Sequence, residues 1–460
     1  MSSTTTATVE IELEPIQDQA DAPERHNGKD EPTSTAESER NKVAVSTPTE
    51  LPPPITAVHT VQRWNSPRTN VPRVFAAFYA FIVVGMNDAS YGPLIPYLEP
   101  YYNISYTIVS LIFLSPFLGY SLAALSISTI HMHFGQRGIA VVAPLCHLIS
   151  YIIISVHPPY PVLVVLFILV GFGNGLEDAG WCAWIGNMVN ANRIQGFLHS
   201  FYAGGATISP LIATAMVTKA GLPWYAFYYM MSAASFVELI TSSWAFWPQN
   251  ATKYREENQR QSDDQSGRTR KAVKNRITWL CAVFLLCYVG AEVSLGGWIV
   301  TFMIKVRSAS PYASGISSTG FWAGMTVGRA SLGFLTDKFG ERISVVVYLA
   351  FALALEIIFW LVPKFVVSAI AVAFLGFFFG PLFPAGIVMA TKLLPVHLHV
   401  SGVGFATALG GTGGALLPFA VGAIAEKKGV KVLQPIVLAL IIVLFVIWLS
   451  FPRVKKREDD

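Results

Sequence analysis

The chain has 460 residues, of which 53% are hydrophobic and 13% are charged, and its mean hydropathy is +0.49. Soluble globular proteins carry about 25% charged residues, so this composition excludes an ordinary soluble domain and predicts a protein that faces lipid. The formal net charge of +4 is too small to indicate a polyanionic partner, and we predict no nucleic-acid binding.

The first part of the chain is polar. Residues 1–71 are rich in Thr, Ser, Glu and Pro, and such a segment cannot bury enough apolar surface to fold on its own. We therefore predict a disordered cytoplasmic tail over 1–71, with no signal peptide.

Long apolar stretches follow, and a helix needs about 20 apolar residues to cross a bilayer. The hydropathy predicts twelve transmembrane helices. Their ranges are 73–98, 106–131, 138–157, 160–188, 195–219, 223–247, 277–304, 312–336, 343–362, 365–391, 399–424 and 431–451. A cytoplasmic linker over 248–276 separates six-helix bundles at 72–247 and 277–452, and a cytoplasmic tail follows at 453–460.

Positive charge is distributed unevenly between the predicted loops. With the amino terminus in the cytoplasm, the inside loops hold most of the basic residues, including the run from Lys253 to Arg276. This excess predicts that both termini are cytoplasmic, and we predict the plasma membrane as the location. The four cysteines all lie in predicted spans without disulfide or metal-ligand spacing, so we predict no metal and no cofactor.

The two halves repeat each other at a nearly constant offset of 205 residues, and such internal repeats are typical of transporters with a site between the halves. The aligned pairs include Gly85 and Gly290, Asn87 and Glu292, Gly119 and Gly324, Gly135 and Gly340, Arg137 and Arg342, and Gly171 and Gly376.

One segment of the second half matches the loop motif of the major facilitator superfamily at every defined position. The matching residues are Gly324, Gly333, Asp337, Lys338, Gly340 and Arg342. We predict a latch, in which the glycines let backbones approach while Asp337 and Arg342 make charged contacts that break when the halves rock. The copy in the first half is degraded, because Met132 replaces its acid.

The resemblance implies an all-α membrane protein with twelve transmembrane helices in two pseudo-symmetric six-helix bundles, the major facilitator fold. In that fold the first, fourth, seventh and tenth helices line the central cavity. Asp88, Glu177, Asp178 and Glu292 fall on the first three of these. A charge at bilayer depth costs about 2.5–3.5 kcal/mol on insertion scales, so we predict that these acids serve coupling or solute binding.

Glu177 and Asp178 are adjacent and point about 100° apart on a helix. We predict that Glu177 faces the cavity, because it shares a stripe with Trp181 and Trp184, whose rings suit a sugar-like ligand. Asp178 is expected to bond a neighbouring helix.

We also predict roles for residues near the other two acids. Asn87 and Asp88 precede a Gly92-Pro93 break that frees backbone carbonyls, and Tyr91 is expected to line the cavity. Glu292 is followed by Trp298, a further candidate for the cavity wall.

Four other polar residues are predicted to have lesser roles. Glu238 and Glu356 lie on peripheral helices and are expected to pack, Arg329 to belong to the latch, and Asn103 to be glycosylated because Asn103-Ile104-Ser105 is a sequon in an outside loop.

With these residues, the membrane region resembles the fucose–proton symporter branch of the superfamily and its fungal members of the bypass-of-stop-codon type. Asn87-Asp88 with Pro96, and Gly175-Leu176-Glu177-Asp178-Ala179, are similar to the symporter's first- and fourth-helix motifs. The resemblance implies that Asp88 and Glu177 are proton-coupling acids. Trp181 stands where that family has Asn, so the substrate is not inherited.

The sequence therefore predicts a secondary transporter, functional as a monomer, that moves a small organic solute with protons; sugar-like symport is favoured. Proton antiport that exports a drug or a fungal metabolite is the alternative. A membrane solute sensor is a third hypothesis. No soluble-enzyme motif is apparent.

Overall fold

The computed structural model describes residues 62–257, 265–395 and 398–452, except for the side chains of 192, 256–257, 265–269, 337 and 400. Most of the predicted amino-terminal tail and the whole carboxyl-terminal tail lie outside the described residues. The helices are α1 (Asn70–Tyr102), α2 (Tyr106–Val109), α3 (Leu111–Phe134), α4 (Gln136–Ser155), α5 (Tyr160–Gly186), α6 (Ala191–Thr218), α7 (Ala226–Phe246), α8 (Ala251–Glu257), α9 (Gln265–Lys274), α10 (Arg276–Arg307), α11 (Pro311–Phe339), α12 (Glu341–Leu361), α13 (Phe365–Phe379), α14 (Leu382–Leu393), α15 (His399–Lys428) and α16 (Leu433–Ser450).

Ten helical segments of the described chain are long and apolar enough to cross a membrane, where the sequence predicts twelve. α2 and α3 form one of these segments, and α13 and α14 form another. The two predicted spans that do not qualify are α7 and α11. They have 21 and 29 residues, which is ample length, but α7 contains Glu238 and α11 is rich in Ser and Gly and contains Arg329.

Residues 62–69 precede α1 and fold back onto the first half. The Val189 amide donates to the Gln62 carbonyl (2.9 Å), and Asn70 Nδ2 donates to Gln62 Oε1 (3.0 Å). α1 itself begins at Asn70. Residues 62–71, the last part of the predicted disordered tail, therefore have a defined structure.

The repeat is visible in how helices end. α3 ends at Gly135 and α11 ends at Gly340, with φ of +71° and +82° respectively. These values lie in the left-handed region, which glycine adopts without the steric cost of a Cβ. The two glycines are related by the 205-residue offset, so the same backbone reversal closes the same helix in both halves.

Helix packing repeats at the same offset. A Cβ on Gly119 would meet the Ile168 carbonyl, and one on Gly171 would meet the Pro116 carbonyl. In the second half, a Cβ on Gly324 would meet the Ala373 carbonyl, and one on Gly376 the Phe321 carbonyl. Each of these four contacts maps onto its counterpart by 205 residues. The pairs α3–α5 and α11–α13 therefore cross at backbone contact in both bundles.

We call the end of the bundles that holds Asn70, Gln249 and Phe451 the linker end, and the other the opposite end. At the opposite end the halves touch closely: a Cβ on Gly92 of α1 would meet the Gly296 carbonyl of α10. The Tyr106 amide also donates to Glu426 Oε2 (2.7 Å), which joins α2 to α15.

Toward the linker end, several glycines have free space around them. A Cβ on Gly196 or Gly204 of α6, on Gly333 of α11, or on Gly404 of α15 would have no described atom of another residue within 4 Å. The described contacts between the halves lie at the opposite end and in the middle of the helices.

Candidate solute and proton site

Asp88 lies in the middle of α1 and is half-buried. Three neutral donors bond its carboxylate: Asn87 Nδ2 (3.1 Å) from α1, Asn174 Nδ2 (3.3 Å) from α5 and the Tyr202 hydroxyl (3.1 Å) from α6. Hydrogen bonds to an ionised group are about twice as strong as those between neutral groups. The acid thus holds three helices of the first half together and sits where they meet.

Of the two adjacent acids of α5, Glu177 and Asp178, it is Asp178 that lies near Asp88. It is half-buried, the next residue, Ala179, is exposed, and the Tyr120 hydroxyl donates to its Oδ2 (2.9 Å). The sequence prediction was that Glu177 faces the cavity and that Asp178 bonds a neighbouring helix. The bond to α3 is present, but the more accessible of the two acids is Asp178.

Glu177 instead points into the interior of the first half and is fully buried. The face of α5 that carries it also carries Gly173 and Gly180, which make room for His147 and Ile139 of α4: a Cβ on either glycine would lie 2.5 Å from the neighbouring side chain. Small residues on this face let α4 pack closely, and this close packing places Glu177 inside the bundle.

The tryptophans that share this face of α5 with Glu177 also point into the first half. Trp181 is fully buried and stacks on Phe246 of α7 with ring centroids 4.3 Å apart. Trp184 is half-buried and meets Phe246 edge-on. Neither ring has the position in the cavity wall that we predicted, because both pack against α7.

Tyr91 and Trp298 also differ from their predicted places. Tyr91 is buried, its hydroxyl accepts from Asn87 Nδ2 (2.8 Å), and its ring packs edge-on against Phe167. Trp298 is fully buried and its indole N–H donates to the Pro418 carbonyl (2.9 Å). Both residues belong to packed regions near the opposite end.

In the second half, Glu292 of α10 forms an ion pair with Arg329 of α11 (3.2 Å). Arg329 Nε also donates to the Gly380 carbonyl, 3.3 Å away between α13 and α14. We had predicted Arg329 as part of the latch, but it lies with Glu292. The 205-residue offset relates Glu292 to Asn87, the neighbour of Asp88.

Tyr202 of α6 connects Asp88 in the first half with Glu292 in the second. It donates to Asp88 and is also close enough to Glu292 to interact with it electrostatically. On the opposite-end side of Tyr202, Thr207 Oγ1 of α6 lies 3.1 Å from Thr326 Oγ1 of α11. The polar residues of both halves thus lie near one another in the middle of the helices, with Asp88 and Glu292 on the linker-end side of the Gly92–Gly296 contact.

Sequence reasoning missed Asn174, Tyr120 and Tyr202. Asn174 carried a signal, since it is an uncharged polar residue inside the apolar stretch that holds Glu177. The two tyrosines carried none, because tyrosine is common in membrane helices at packing and interfacial positions.

The motif residues stay within the second half. Arg342 Nη1 donates to the Phe451 carbonyl (3.1 Å) and the Trp448 indole N–H donates to the Arg342 carbonyl (3.1 Å), so α12 is tied to the end of α16. Lys338 is exposed, and the side chain of Asp337 lies outside the described residues. The first half has a related contact, with the Arg137 guanidinium 5.0 Å from the Trp247 ring centroid.

The predicted glycosylation site lies between α1 and α2. Asn103 is exposed and caps α1 in the left-handed region, with φ of +50°. Ser105, the other fixed residue of the sequon, caps α2 by accepting a hydrogen bond from the Ile108 amide (3.4 Å).

Comparisons with known proteins agree with this architecture. The chain is 32% identical over 421 residues to Bypass of stop codon protein 6 of Saccharomyces cerevisiae, covering 84% of each protein. It is 21% identical to the Glucose/mannose transporter of Bacillus subtilis, covering 82% of this chain and 94% of that protein.

A solved structure with the same fold is the fucose:proton symporter of E. coli. It superposes with a TM-score of 0.59 at 13% identity, over 84% of this chain and 99% of that one. The family model of the Major Facilitator Superfamily matches residues 77–418 and 295–460. The fold, the repeat and these matches lead to one conclusion: the chain is a multi-pass membrane protein and belongs to the Major Facilitator Superfamily of transporters, not to an enzyme family.

Proposed function

We propose that this transporter moves a small hydroxylated solute, such as a hexose or a polyol, together with protons. The observation that carries the proposal is Asp88, a half-buried carboxylate bonded by Asn87, Asn174 and Tyr202 and by no basic side chain of the described residues. Its place just on the linker-end side of the Gly92–Gly296 contact between the halves supports a role in coupling.

The groups around Asp88 suit a polyol. Asp178 with Tyr120, and Glu292 with Arg329, add carboxylate, phenol and guanidinium groups that pair with hydroxyls as acceptors or donors. The relatives named for glucose, mannose and fucose support the same class of solute.

Protons would enter the cycle through Asp88. An ionised carboxylate without a counter-ion is costly in a closed, dry site, whereas the protonated acid is neutral and can cross the occluded state. Each charge moved through the membrane potential is worth about 2.3 kcal/mol per 100 mV, so one coupled proton can drive accumulation.

The test is solute-driven proton movement in proteoliposomes, with D-glucose, D-mannose and L-fucose as the probes. We expect one of them to alkalinise the medium with wild-type protein, and the Asp88→Asn variant to exchange that sugar without alkalinisation. Glu356→Gln serves as the matched control, because Glu356 is a fully buried acid of α12, on the periphery of the other half. Equal alkalinisation with wild type and Asp88→Asn would refute the coupling role.

Proton antiport that exports a cationic solute is the second candidate. It is favoured because no basic side chain of the described residues is hydrogen-bonded to Asp88 or Asp178. In that case the sugars give no signal, and deletion sensitises cells to cationic drugs. Binding of a sugar without its uptake would instead indicate a sensor.

For the cell, we propose a monomer in the plasma membrane with both termini cytoplasmic, the linker end on the cytoplasmic side and a glycan on Asn103. Tags at each terminus should be protected from antibody in intact cells. Glycosidase should shift the gel band of the wild-type protein and leave that of Asn103→Gln unchanged. A terminal tag that antibody reaches in intact cells would contradict the proposed orientation.

A further inference from the structure

A second polar cluster lies inside the first half, away from the region between the halves. It consists of His147 on α4, Glu177 on α5 and Glu238 on α7, and all three are fully buried. Their titratable atoms lie within 4.8 Å of one another, and His147 Nδ1 is 3.3 Å from Glu238 Oε2. Apart from this pair, their side-chain polar atoms have no hydrogen-bond partner among the described residues.

The charges of the cluster do not balance without bound cations. Two ionised glutamates and a neutral imidazole carry two negative charges. Among the described residues, the two glutamates have no ion-pair partner other than His147, which pairs with Glu238. Burying a single carboxylate costs several kcal/mol even after relaxation. Two bound protons, shared among three side chains, make the cluster neutral.

The architecture does not require these residues. At the 205-residue offset, the second half has Ala352 in place of His147 and Leu382 in place of Glu177, and both are buried in the apolar core. Replacing buried ionic groups by well-packed apolar ones is often neutral or stabilising. A polar cluster retained in one half only therefore points to a ligand, and not to packing.

Asn174 connects the cluster to the site described above. Its Nδ2 donates to Asp88 Oδ1 (3.3 Å), and the residue before it, Gly173, packs directly against the His147 imidazole. The other titratable neighbours of the cluster are Asp88 and Tyr79 on α1, Cys146 and Tyr151 on α4, and Asp178 on α5. None of these is basic, so protonation of the cluster changes the field at Asp88 with little compensation.

We propose that His147, Glu177 and Glu238 form a proton-holding site within the first half, and that Asn174 links the charge of this site to Asp88. The proposal deepens the proposed proton coupling and adds His147, Glu238 and Asn174 to it. The Glu177 carboxyl acts from inside the bundle, without contact with the solute.

Infrared difference spectroscopy of the purified protein between about pH 5 and pH 9 tests the site, over the range in which a histidine–carboxylate cluster titrates. We expect a pH-dependent carbonyl band of a protonated carboxyl group. Because the two carboxyl groups and the imidazole share the bound protons, Glu177→Gln and Glu238→Gln should each remove most of that band. Glu356→Gln should leave the pH difference unchanged, since Glu356 is fully buried in the other half and belongs to no cluster of His, Asp and Glu side chains among the described residues.

Each other outcome is decisive. A band lost in only one of the two glutamate variants overturns the sharing, and the absence of a pH-dependent band in wild type overturns the site, whatever the variants do. Stoichiometric zinc or manganese in the purified protein, lost in Glu177→Gln, would assign the cluster to a metal instead. The measurement uses neither solute nor gradient, so it can fail while the transport test succeeds, and the reverse.

The link through Asn174 has its own readout. Asn174→Leu should leave the glutamate band present but change its response to Asp88→Asn, because the amide no longer joins the two groups. If Asp88→Asn shifts the band by the same amount in wild-type protein and in Asn174→Leu, the link is contradicted.

Discussion

At the scale of single residues, the adjacent acids of α5 show what a sequence can and cannot predict. Insertion cost was enough to single out Asp88, Glu177, Asp178 and Glu292. The direction of each side chain was not predictable, because it depends on which face of α5 meets α4. Gly173 and Gly180 set that face, and their effect depends on His147 and Ile139, which are distant in the sequence.

The ion pair between Glu292 and Arg329 allows a prediction on stability. Arg329→Met leaves Glu292, which is 7% exposed, as an uncompensated buried charge, and breaking such a pair costs about 3–5 kcal/mol. We expect a large drop in thermal unfolding temperature in detergent. The double variant Arg329→Met, Glu292→Leu should recover most of it; a double variant as unstable as the single one contradicts the ion pair.

At the scale of helices, the repeat was readable from the sequence because glycines at backbone crossings leave a fixed spacing. The contacts of Gly119 with Ile168 and of Gly324 with Ala373 obey the offset of 205. The join between the halves was less predictable. It depends on residues such as Thr207 and Thr326, whose types are ordinary in any membrane helix.

The two motif glycines of α11 offer a matched pair of substitutions. Gly324→Val pushes a side chain into the Ala373 carbonyl of α13, whereas Gly333→Val points into free space. Overpacking costs about 1–3 kcal/mol, and more where backbone atoms must move. We expect lower folded yield and thermal stability for the first variant alone, measured by size-exclusion profile and unfolding temperature; equal losses at both positions would be evidence against the α11–α13 crossing.

The contact of Glu426 with the Tyr106 amide holds the opposite end closed. An exposed hydrogen bond contributes about 0.5–1.5 kcal/mol, so Glu426→Ala should raise the population open at that end by about two- to tenfold. Reactivity of a Ser110→Cys variant, at a fully buried position that faces Gly422 across the halves, reports this opening. Lys428→Ala, at an exposed neighbouring position, is the control and should leave the reactivity unchanged.

At the scale of the whole molecule, the proposed coupled transport requires an exchange between two states. The closed contact at the opposite end could not be predicted from sequence, because the same residues must then serve both states. The energy difference between such states is a few kcal/mol, far below what hydropathy or spacing can resolve.

Cross-linking across the linker end tests the exchange. Continuing the antiparallel register in which Thr214 of α6 contacts Gly315 of α11 brings Gly196 of α6 opposite Gly333 of α11 when that end closes. A short thiol cross-linker on the Gly196→Cys, Gly333→Cys double variant should abolish transport, and each single variant should remain active. Unchanged transport after complete cross-linking means that the halves do not rock about this contact.

The glycine contact between α1 and α10 also has a mechanical consequence. Because the Gly92 backbone meets the Gly296 carbonyl directly, the crossing can act as a pivot near one end of two long levers. The arm from Gly92 back to Asn70 is about 33 Å at 1.5 Å per residue, so a rotation of about 10° displaces its tip by roughly 6 Å. A tilt that small at the pivot changes the gap at the far tip by about the width of a small organic molecule, with little repacking inside either half.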